Sequence, residues 1–273
     1  MKRVATGIAI LLALTSLLIG CPKRGGDTPP PLPPLPTTTA QTEETGSMGP
    51  ALTIRYFGHA CFTVSDSAGV TVAIDPFDDA VGYEVPALSA NVCLVTHDHF
   101  DHSNTSAIAG SPEIVTTEGE TTAAGISITG VTAAHHAPGE NEERGDIVMY
   151  RWQMEGVNLA HLGDLGTELS LEQVEALGEI DVLFVPVGGH YTIDAQQAIN
   201  TINAISPKLA VPMHFRTEAS AEKLDVLAPV DDFLAALPTQ WLVSQSDVNS
   251  VAIPVSEIEE EDAPLKVFVL GYK

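Results

Sequence analysis

Basic residues are scarce in this chain. Of its 273 residues, 12 are Lys or Arg and 36 are Asp or Glu, which gives a formal net charge of −24 at pH 7. A surface of this sign repels polyanions. The composition therefore argues against nucleic acid as a partner and against direct binding to anionic lipid headgroups, and it favours solubility.

Cysteine is equally scarce, with only Cys21, Cys61 and Cys93 in the sequence and no CxxC spacing. A cysteine-based metal site is therefore not predicted. Cys61 and Cys93 lie in apolar, strand-like stretches, where we expect buried thiols. A disulfide between them, formed in an oxidising compartment, is the alternative.

The first apolar run is too short for a stable membrane span. Residues Val4–Ile19 follow the basic start Met1–Arg3 and are all apolar or small. At ~1.5 Å per residue the run covers roughly 24 Å as a helix, against about 30 Å for a bilayer core. A short apolar run behind a basic start predicts an export signal.

The end of this run, LIGC at 18–21, resembles the bacterial lipoprotein signal. The resemblance implies that residues 1–20 are a signal peptide, removed by cleavage before Cys21, and that Cys21 is acylated. An uncleaved N-terminal anchor is the alternative. Both predict a protein of the cell envelope, tethered to a membrane on its extracytoplasmic side.

Residues 21–50 carry the sequence PPPLPPLP at 29–36 and have no hydrophobic periodicity. Such a segment cannot bury enough apolar surface to fold, and its proline-rich part favours an extended polyproline II conformation. We predict a disordered spacer between the lipidated Cys21 and the folded domain. A PxxP partner-binding site is the alternative.

Residues 51–273 have the length of one large domain. Short β-branched runs dominate its first half, whereas its second half alternates apolar runs with helical patterns at Ser170–Gly178, Asp194–Ile205 and Ser220–Leu237. This order of elements predicts an α/β fold in which two sheets pack face to face and carry helices on their outer faces.

The segment THDHFDH at 96–102 carries the chemistry of the chain. It follows the apolar run ANVCLVT at 90–96, which has the pattern of a buried strand. Imidazole and carboxylate groups are usual ligands of zinc and similar divalent ions. His97 and His99 are two apart and face one side of an extended segment, whereas Asp101 and His102 come after a turn. The spacing therefore favours two neighbouring ions.

Further candidate ligands stand at the ends of other apolar runs, where distant loops can meet at one edge of a sheet. His135 and the adjacent His136 follow VTAA, Asp164 lies in HLGD, and His214 ends VPMH. His135 is preferred over His136. The complete predicted set is His97, His99, Asp101, His102, His135, Asp164 and His214.

With these motifs the chain resembles the metallo-β-lactamase superfamily from Leu52 to about Thr217. The resemblance implies an αββα sandwich of two mixed sheets with the metals at one edge. Two further stretches, YFGHACFTV at 56–64 and PVGGHYTID at 186–194, resemble the ascorbate-6-phosphate-lactonase-like group of that superfamily.

The resemblance also implies a role for each ligand. His97, His99 and His135 would hold the first metal, and Asp164 would bridge both metals. The second metal would be held by Asp101, His102 and His214. Two divalent ions are expected, Zn²⁺ in the first instance, with Mn²⁺ or Fe²⁺ as alternatives because this ligand type discriminates among them poorly.

The expected reaction is hydrolysis of a small ester, lactone or phosphodiester by a hydroxide that bridges the two ions. Asp101 would also orient the nucleophile, and His161 or His190 would donate a proton to the leaving group. For His161 the alternative is a hydrogen bond that orients a ligand, and His59 is expected to be structural rather than catalytic. The alternative function is a lipoprotein that binds a metal or a solute in the same pocket without catalysis.

Overall fold

The computed structural model describes residues 49–136, 144–258, 260 and 263–273. The predicted signal peptide at 1–20, the lipidation site Cys21 and nearly all of the predicted spacer at 21–50 lie outside these described residues. Within the described ranges no helix combines the length and the apolar character that a membrane crossing requires.

Strands dominate the described part of the chain, as the β-branched runs predict. In chain order they are β1 (Ala51–Gly58), β2 (Cys61–Ser65), β3 (Thr71–Ile74), β4 (Leu88–Ser89), β5 (Val92–Leu94), β6 (Ile108–Ala109), β7 (Glu113–Val115), β8 (Gly119–Ala123), β9 (Ile126–Ala134), β10 (Asp146–Met154), β11 (Val157–His161), β12 (Val182–Pro186), β13 (Leu209–Met213), β14 (Leu242–Ser246), β15 (Ser250–Pro254) and β16 (Lys266–Leu270).

Two mixed sheets contain all but two of these strands. The first has the order β15-β1-β2-β3-β5-β7, and the second has the order β14-β16-β13-β12-β11-β10-β9-β8. Each sheet is antiparallel over its early strands and becomes parallel where the chain crosses over, at β3-β5-β7 and from β11 onwards. The remaining pair, β4 and β6, forms a short parallel ladder.

Four α-helices are described: α1 (Leu171–Leu177), α2 (Ala195–Ile205), α3 (Val230–Ala236) and α4 (Val255–Ile258). Both α1 and α2 begin with a capping box, with Ser170 and Asp194 as the capping residues. α1 packs on β9 and α2 on β12, both in the second sheet, whereas α4 packs on β15 of the first sheet. The predicted fold class is therefore confirmed.

The prediction of a helix over Ser220–Leu237 is wrong for its first half. Only α3 is helical there, and residues 220–228 form turns and irregular backbone. Pro229 disfavours a helical conformation at Ala228, and the backbone N–H of Ala228 donates instead to the Gly188 carbonyl at 2.8 Å. The helical pattern therefore loses to a tertiary hydrogen bond.

The main core lies between the sheets and contains a file of aromatic rings. Tyr56 and Phe62 of the first sheet stack at 4.6 Å, Phe62 meets Phe184 of the second sheet at 4.6 Å, and Phe184 stacks on Trp152 at 6.2 Å. All four side chains are buried. Large aromatic side chains are each worth roughly 3–5 kcal/mol in a core, so this file fixes how the two sheets face each other.

A second apolar cluster covers the outer face of the first sheet, where irregular segments replace a long helix. It includes Phe77, Tyr83 and Leu227 together with the two cysteines. Cys61 and Cys93 are buried and free, so the expectation of buried thiols is confirmed and the disulfide alternative is wrong.

The environment of these thiols predicts that they do not react in the folded protein. Burial raises the pKa of Cys93 to about 12, with a further contribution from the charge of Asp75, and burial also raises the pKa of Cys61 well above its ordinary value. Since the thiolate is the reactive form, a Cys21→Ser chain should take up almost no iodoacetamide between pH 7 and 9. Mass spectrometry should find both thiols alkylated once urea unfolds the chain. Native-state labelling that rises steeply with pH would contradict this.

Candidate metal centre

The predicted ligands meet at one edge of the two sheets because each follows the end of a strand. His97 and Asp101 lie in the loop after β5, His135 follows β9, Asp164 follows β11, and His214 follows β13. The loop after β5 turns tightly, since the backbone N–H groups of residues 102 and 103 both donate to the carbonyl of residue 99. Because of this turn, one short segment can contribute ligands to two neighbouring groups.

The ligand atoms form three overlapping groups, within each of which all atoms lie within 4.8 Å of one another. The predicted first-metal set forms one group, and the predicted second-metal set forms another, which His59 joins. The third group connects them. The groups are His97, His99 and His135; His59, Asp101, His102 and His214; and His97, His102 and Asp164. All seven predicted ligands are therefore brought together.

Asp164 lies between the group of His97, His99 and His135 and the group that contains His102 and His214. Its Oδ2 atom is 3.1 Å from His214 Nε2 and 3.6 Å from His135 Nε2, and its Oδ1 atom is 3.2 Å from His102 Nε2. The carboxylate thus contacts a histidine from each group, which is the position that the resemblance implies for a bridging ligand.

Several ligand atoms are buried without a hydrogen-bond partner. They include the Nε2 atoms of His97, His102 and His214 and the Oδ1 atom of Asp164. Although His102 Nε2 and Asp164 Oδ1 are close, their arrangement lacks hydrogen-bond geometry. Buried polar atoms without partners are costly, and a divalent cation satisfies several lone pairs together. The donor set of imidazoles and carboxylates therefore fits metal ions of the zinc, manganese or iron type.

The charge states suit metal binding. Burial, together with the neighbouring His102, lowers the pKa of His97 to about 3, so His97 is neutral at pH 7. Burial alone would raise the pKa of Asp164, but His102 and His214 hold it well below its usual range. For His102, the negative charges of Asp164 and Asp75 outweigh burial and raise its pKa, so a metal would displace a proton there.

The adjacent histidines His135 and His136 differ in their placement. His135 is buried and belongs to the first ligand group, whereas His136 is partly exposed and belongs to none of the groups found among the described residues. Gly166 makes this possible, because a Cβ atom there would lie 2.4 Å from the carbonyl carbon of His135 and the nitrogen of His136. The geometry therefore favours His135 as the ligand.

His161 is held by the backbone on both sides of its ring. Its Nδ1 atom accepts a hydrogen bond from Gly163 N at 3.1 Å, and its Nε2 atom donates to the carbonyl of Ala60 at 3.0 Å. The ring is fully buried. No ring nitrogen is left to protonate a leaving group, so the structure favours the alternative that His161 orients the turn before Asp164.

His190 and His59 differ in their exposure to solvent. His190 is exposed at a loop, with its ring edge-on to Tyr191 at 4.4 Å. His59 is fully buried, and its Nε2 atom lies 3.2 Å from Asp101 Oδ2. Burial would raise the pKa of Asp101, but the hydrogen bond from His59 and the nearby His102 hold that pKa well below its usual range. His59 therefore positions an ionised ligand.

Asp75 is the functional residue that sequence reasoning missed. It follows β3 in the left-handed region, with φ 47°, and it is completely buried. Its carboxylate accepts hydrogen bonds from the backbone N–H and the hydroxyl of Thr96, both at 2.8 Å, and from Nδ1 of His102 at 2.9 Å. It thereby fixes the start of the ligand loop and the ring orientation of one ligand. The only signal in the sequence is an aspartate after an apolar run, in AIDP.

The Asp75→Asn substitution should therefore weaken both folding and metal binding. An amide cannot accept all three hydrogen bonds with the strength of a carboxylate, so we expect a loss of about 2–3 kcal/mol of unfolding free energy and roughly 10–100-fold lower Zn²⁺ affinity. Urea unfolding and competition with a chromophoric chelator measure these. Asp181→Asn is the control, because Asp181 also accepts a backbone N–H, from Asn158 at 2.9 Å, but precedes β12 rather than following it. Equal Zn²⁺ affinity in all three proteins would refute the role of Asp75.

Comparison with known proteins agrees with this geometry. A family profile described as a beta-lactamase superfamily domain matches residues 53–214. A UPF0173 metal-dependent hydrolase from Thermoplasma acidophilum is 32% identical over 206 residues, which cover 65% of this chain and 91% of that protein.

Solved structures show the same relationship. A candidate Zn-dependent hydrolase of the metallo-beta-lactamase superfamily from Thermotoga maritima is 32% identical, with a TM-score of 0.63 over 81% of this chain and 98% of that chain. CmlA, a diiron β-hydroxylase from Streptomyces venezuelae, shares the fold alone, with 12% identity and a TM-score of 0.52 over 82% of this chain and 53% of its own. This chain therefore belongs to the metallo-beta-lactamase superfamily, within the UPF0173 family of metal-dependent hydrolases.

Proposed function

We propose that this metal-dependent hydrolase cleaves a small ester, lactone or phosphodiester with the help of two divalent ions, Zn²⁺ in the first instance. The observation that carries the proposal is the pair of adjoining ligand groups with Asp164 in contact with both. The stretches at 56–64 and 186–194 support a place in the ascorbate-6-phosphate-lactonase-like group.

The protein residues divide the remaining work. Bound divalent ions would supply Lewis-acid chemistry, which lowers the pKa of a water nucleophile and stabilises negative charge on the substrate. Asp101 is ionised and held through its Oδ2 atom by His59 at 3.2 Å, so it can bind a metal and orient a water without rotating freely. The exposed His190, in the loop between β12 and α2, is the proposed proton donor to the leaving group.

Metal removal and one substitution test the proposal. The chain stripped with a chelator should hydrolyse neither bis(p-nitrophenyl) phosphate, p-nitrophenyl acetate nor a lactone panel, and reloading with Zn²⁺, Mn²⁺ or Fe²⁺ should restore activity. Asp101→Ala should lower kcat by roughly 10²–10⁴-fold. Asp98→Ala should retain activity, because Asp98 is exposed in the same loop and contributes to none of the ligand groups found among the described residues.

Two outcomes separate the alternatives. Metal binding without turnover of any substrate in the panel would favour the non-catalytic binding protein. If hydrolysis occurs, His190→Gln should slow substrates with poor, alkoxide leaving groups more than p-nitrophenyl esters, since only the former need a proton. Equal effects on both substrate types would show that His190 does not protonate the leaving group.

A cell-envelope location forms a second part of the proposal. The basic start, the short apolar run and the LIGC sequence at 18–21 support acylation of Cys21, and the acidic composition makes direct attachment to anionic lipid unfavourable. The proline-rich residues 29–36 would hold the catalytic domain away from the membrane.

Metabolic labelling tests the anchor. In a bacterial host the full chain should incorporate an alkyne-tagged palmitate and sediment with the membrane fraction. Cys21→Ser should abolish both, whereas deletion of residues 29–36 should leave both intact and preserve hydrolysis. A Cys21→Ser chain that remains unlabelled but still sediments with membranes would instead support an uncleaved N-terminal anchor.

A further inference from the structure

An arginine lies on an aromatic ring beside the metal centre. The guanidinium carbon of Arg144 is 4.3 Å from the centroid of the Tyr191 ring, and both side chains are partly exposed. Among the described residues, the one lysine or arginine side chain engaged in an ion pair is Lys273, with Glu218 at 4.0 Å. Arg144 is therefore held by stacking and keeps its positive charge unpaired within the described ranges.

Backbone contacts place this pair against the ligand loops. The carbonyl of Gly145, next to Arg144, accepts a hydrogen bond from the N–H of His135 at 3.1 Å. On the other side, Ile193 N donates to the carbonyl of Leu165 at 2.8 Å, directly after Asp164. The contact between Arg144 and Tyr191 thus joins loops that lead to two different ligands.

The loop that carries Tyr191 begins at Gly188, which lies against a third predicted ligand, His214. A Cβ atom on Gly188 would lie 2.0 Å from the carbonyl oxygen of His214, so only glycine permits this approach of the loop to the β13 end. The loop therefore runs from His214 to the residue after Asp164, with His190 and Tyr191 between. Arg144 reaches it from the His135 side.

One donor of the guanidinium is buried and unsatisfied. The Nε atom of Arg144 is inaccessible to solvent and has no hydrogen-bond partner. A buried donor without a partner is costly, so the guanidinium has hydrogen-bonding capacity that the described part of the protein leaves unused. A guanidinium stacked on a ring keeps its N–H groups directed outward in its own plane, where they match two oxygens of a carboxylate or a phosphate.

We propose that Arg144, supported by Tyr191, binds an anionic group of the substrate, so that the enzyme prefers a small ester or lactone carrying a carboxylate or phosphate beside the scissile bond. This inference rests on the proposed hydrolase function and names its substrate class. In a chain of net charge −24, whose general field repels anions, a fixed positive charge beside the site favours the approach of such a substrate.

Paired substrates test this inference on the full chain reconstituted with Zn²⁺. p-Nitrophenyl acetate and mono-p-nitrophenyl succinate share a leaving group, and the succinate ester carries one additional methylene and one carboxylate; comparing the ratio between variants cancels the methylene contribution. Arg144→Gln should lower the ratio of kcat/KM for the succinate over the acetate by about tenfold or more, mainly through KM, and Arg144→Lys should give an intermediate ratio. Arg55→Gln is the control, because Arg55 also stacks on a ring, that of Phe57 at 4.9 Å, on strand β1.

A binding measurement keeps the inference independent of turnover. Phenylphosphonate, titrated calorimetrically into the metal-free chain, should bind at least about tenfold more weakly to Arg144→Gln than to the wild type or to Arg55→Gln. The ester pair tests the preference for a carboxylate, and the phenylphosphonate titration tests the preference for a phosphate-like group. If neither ester is hydrolysed, ester hydrolysis fails as a function while the titration still decides the role of Arg144. A wild-type chain that does not bind phenylphosphonate, or an unchanged selectivity ratio in Arg144→Gln, would overturn the inference.

Discussion

The metal centre depends on one buried carboxylate, that of Asp75. It connects the end of β3 to the start of the ligand loop through Thr96, and it orients the imidazole of His102 through Nδ1. A carboxylate without solvent would be unstable by itself, but three donors stabilise its charge. The ligand loop is therefore fixed by hydrogen bonds of the protein, so a bound ion would not have to pay the cost of ordering it.

The sequence predicts this centre well where the chemistry is local. The motif at 96–102 and the positions of His135, Asp164 and His214 after apolar runs indicate the site, because β9, β11 and β13 run in the same direction and therefore end at the same edge of their sheet. The helices that begin at Ser170 and Asp194 are equally predictable, since each has its own capping box.

Prediction fails where long-range packing decides. A lone aspartate before a proline, as at Asp75, has the pattern of a turn. Nothing in the neighbouring sequence shows that this aspartate is buried and accepts a hydrogen bond from a histidine. Burial likewise decides that His161 faces the backbone rather than the substrate. Ser220–Leu237 has the composition of a helix, yet Leu227 is drawn into the apolar cluster under the first sheet and the N–H of Ala228 bonds to Gly188.

The aromatic file between the sheets has a consequence for the order of assembly. His59 and Asp101 belong to loops of the first sheet, whereas His135, Asp164 and His214 follow strands of the second. The complete ligand set therefore exists only where the two sheets are packed against each other, as Phe62 and Phe184 are across the interface. A chain that holds its full set of ions is thus one in which the two halves have docked correctly.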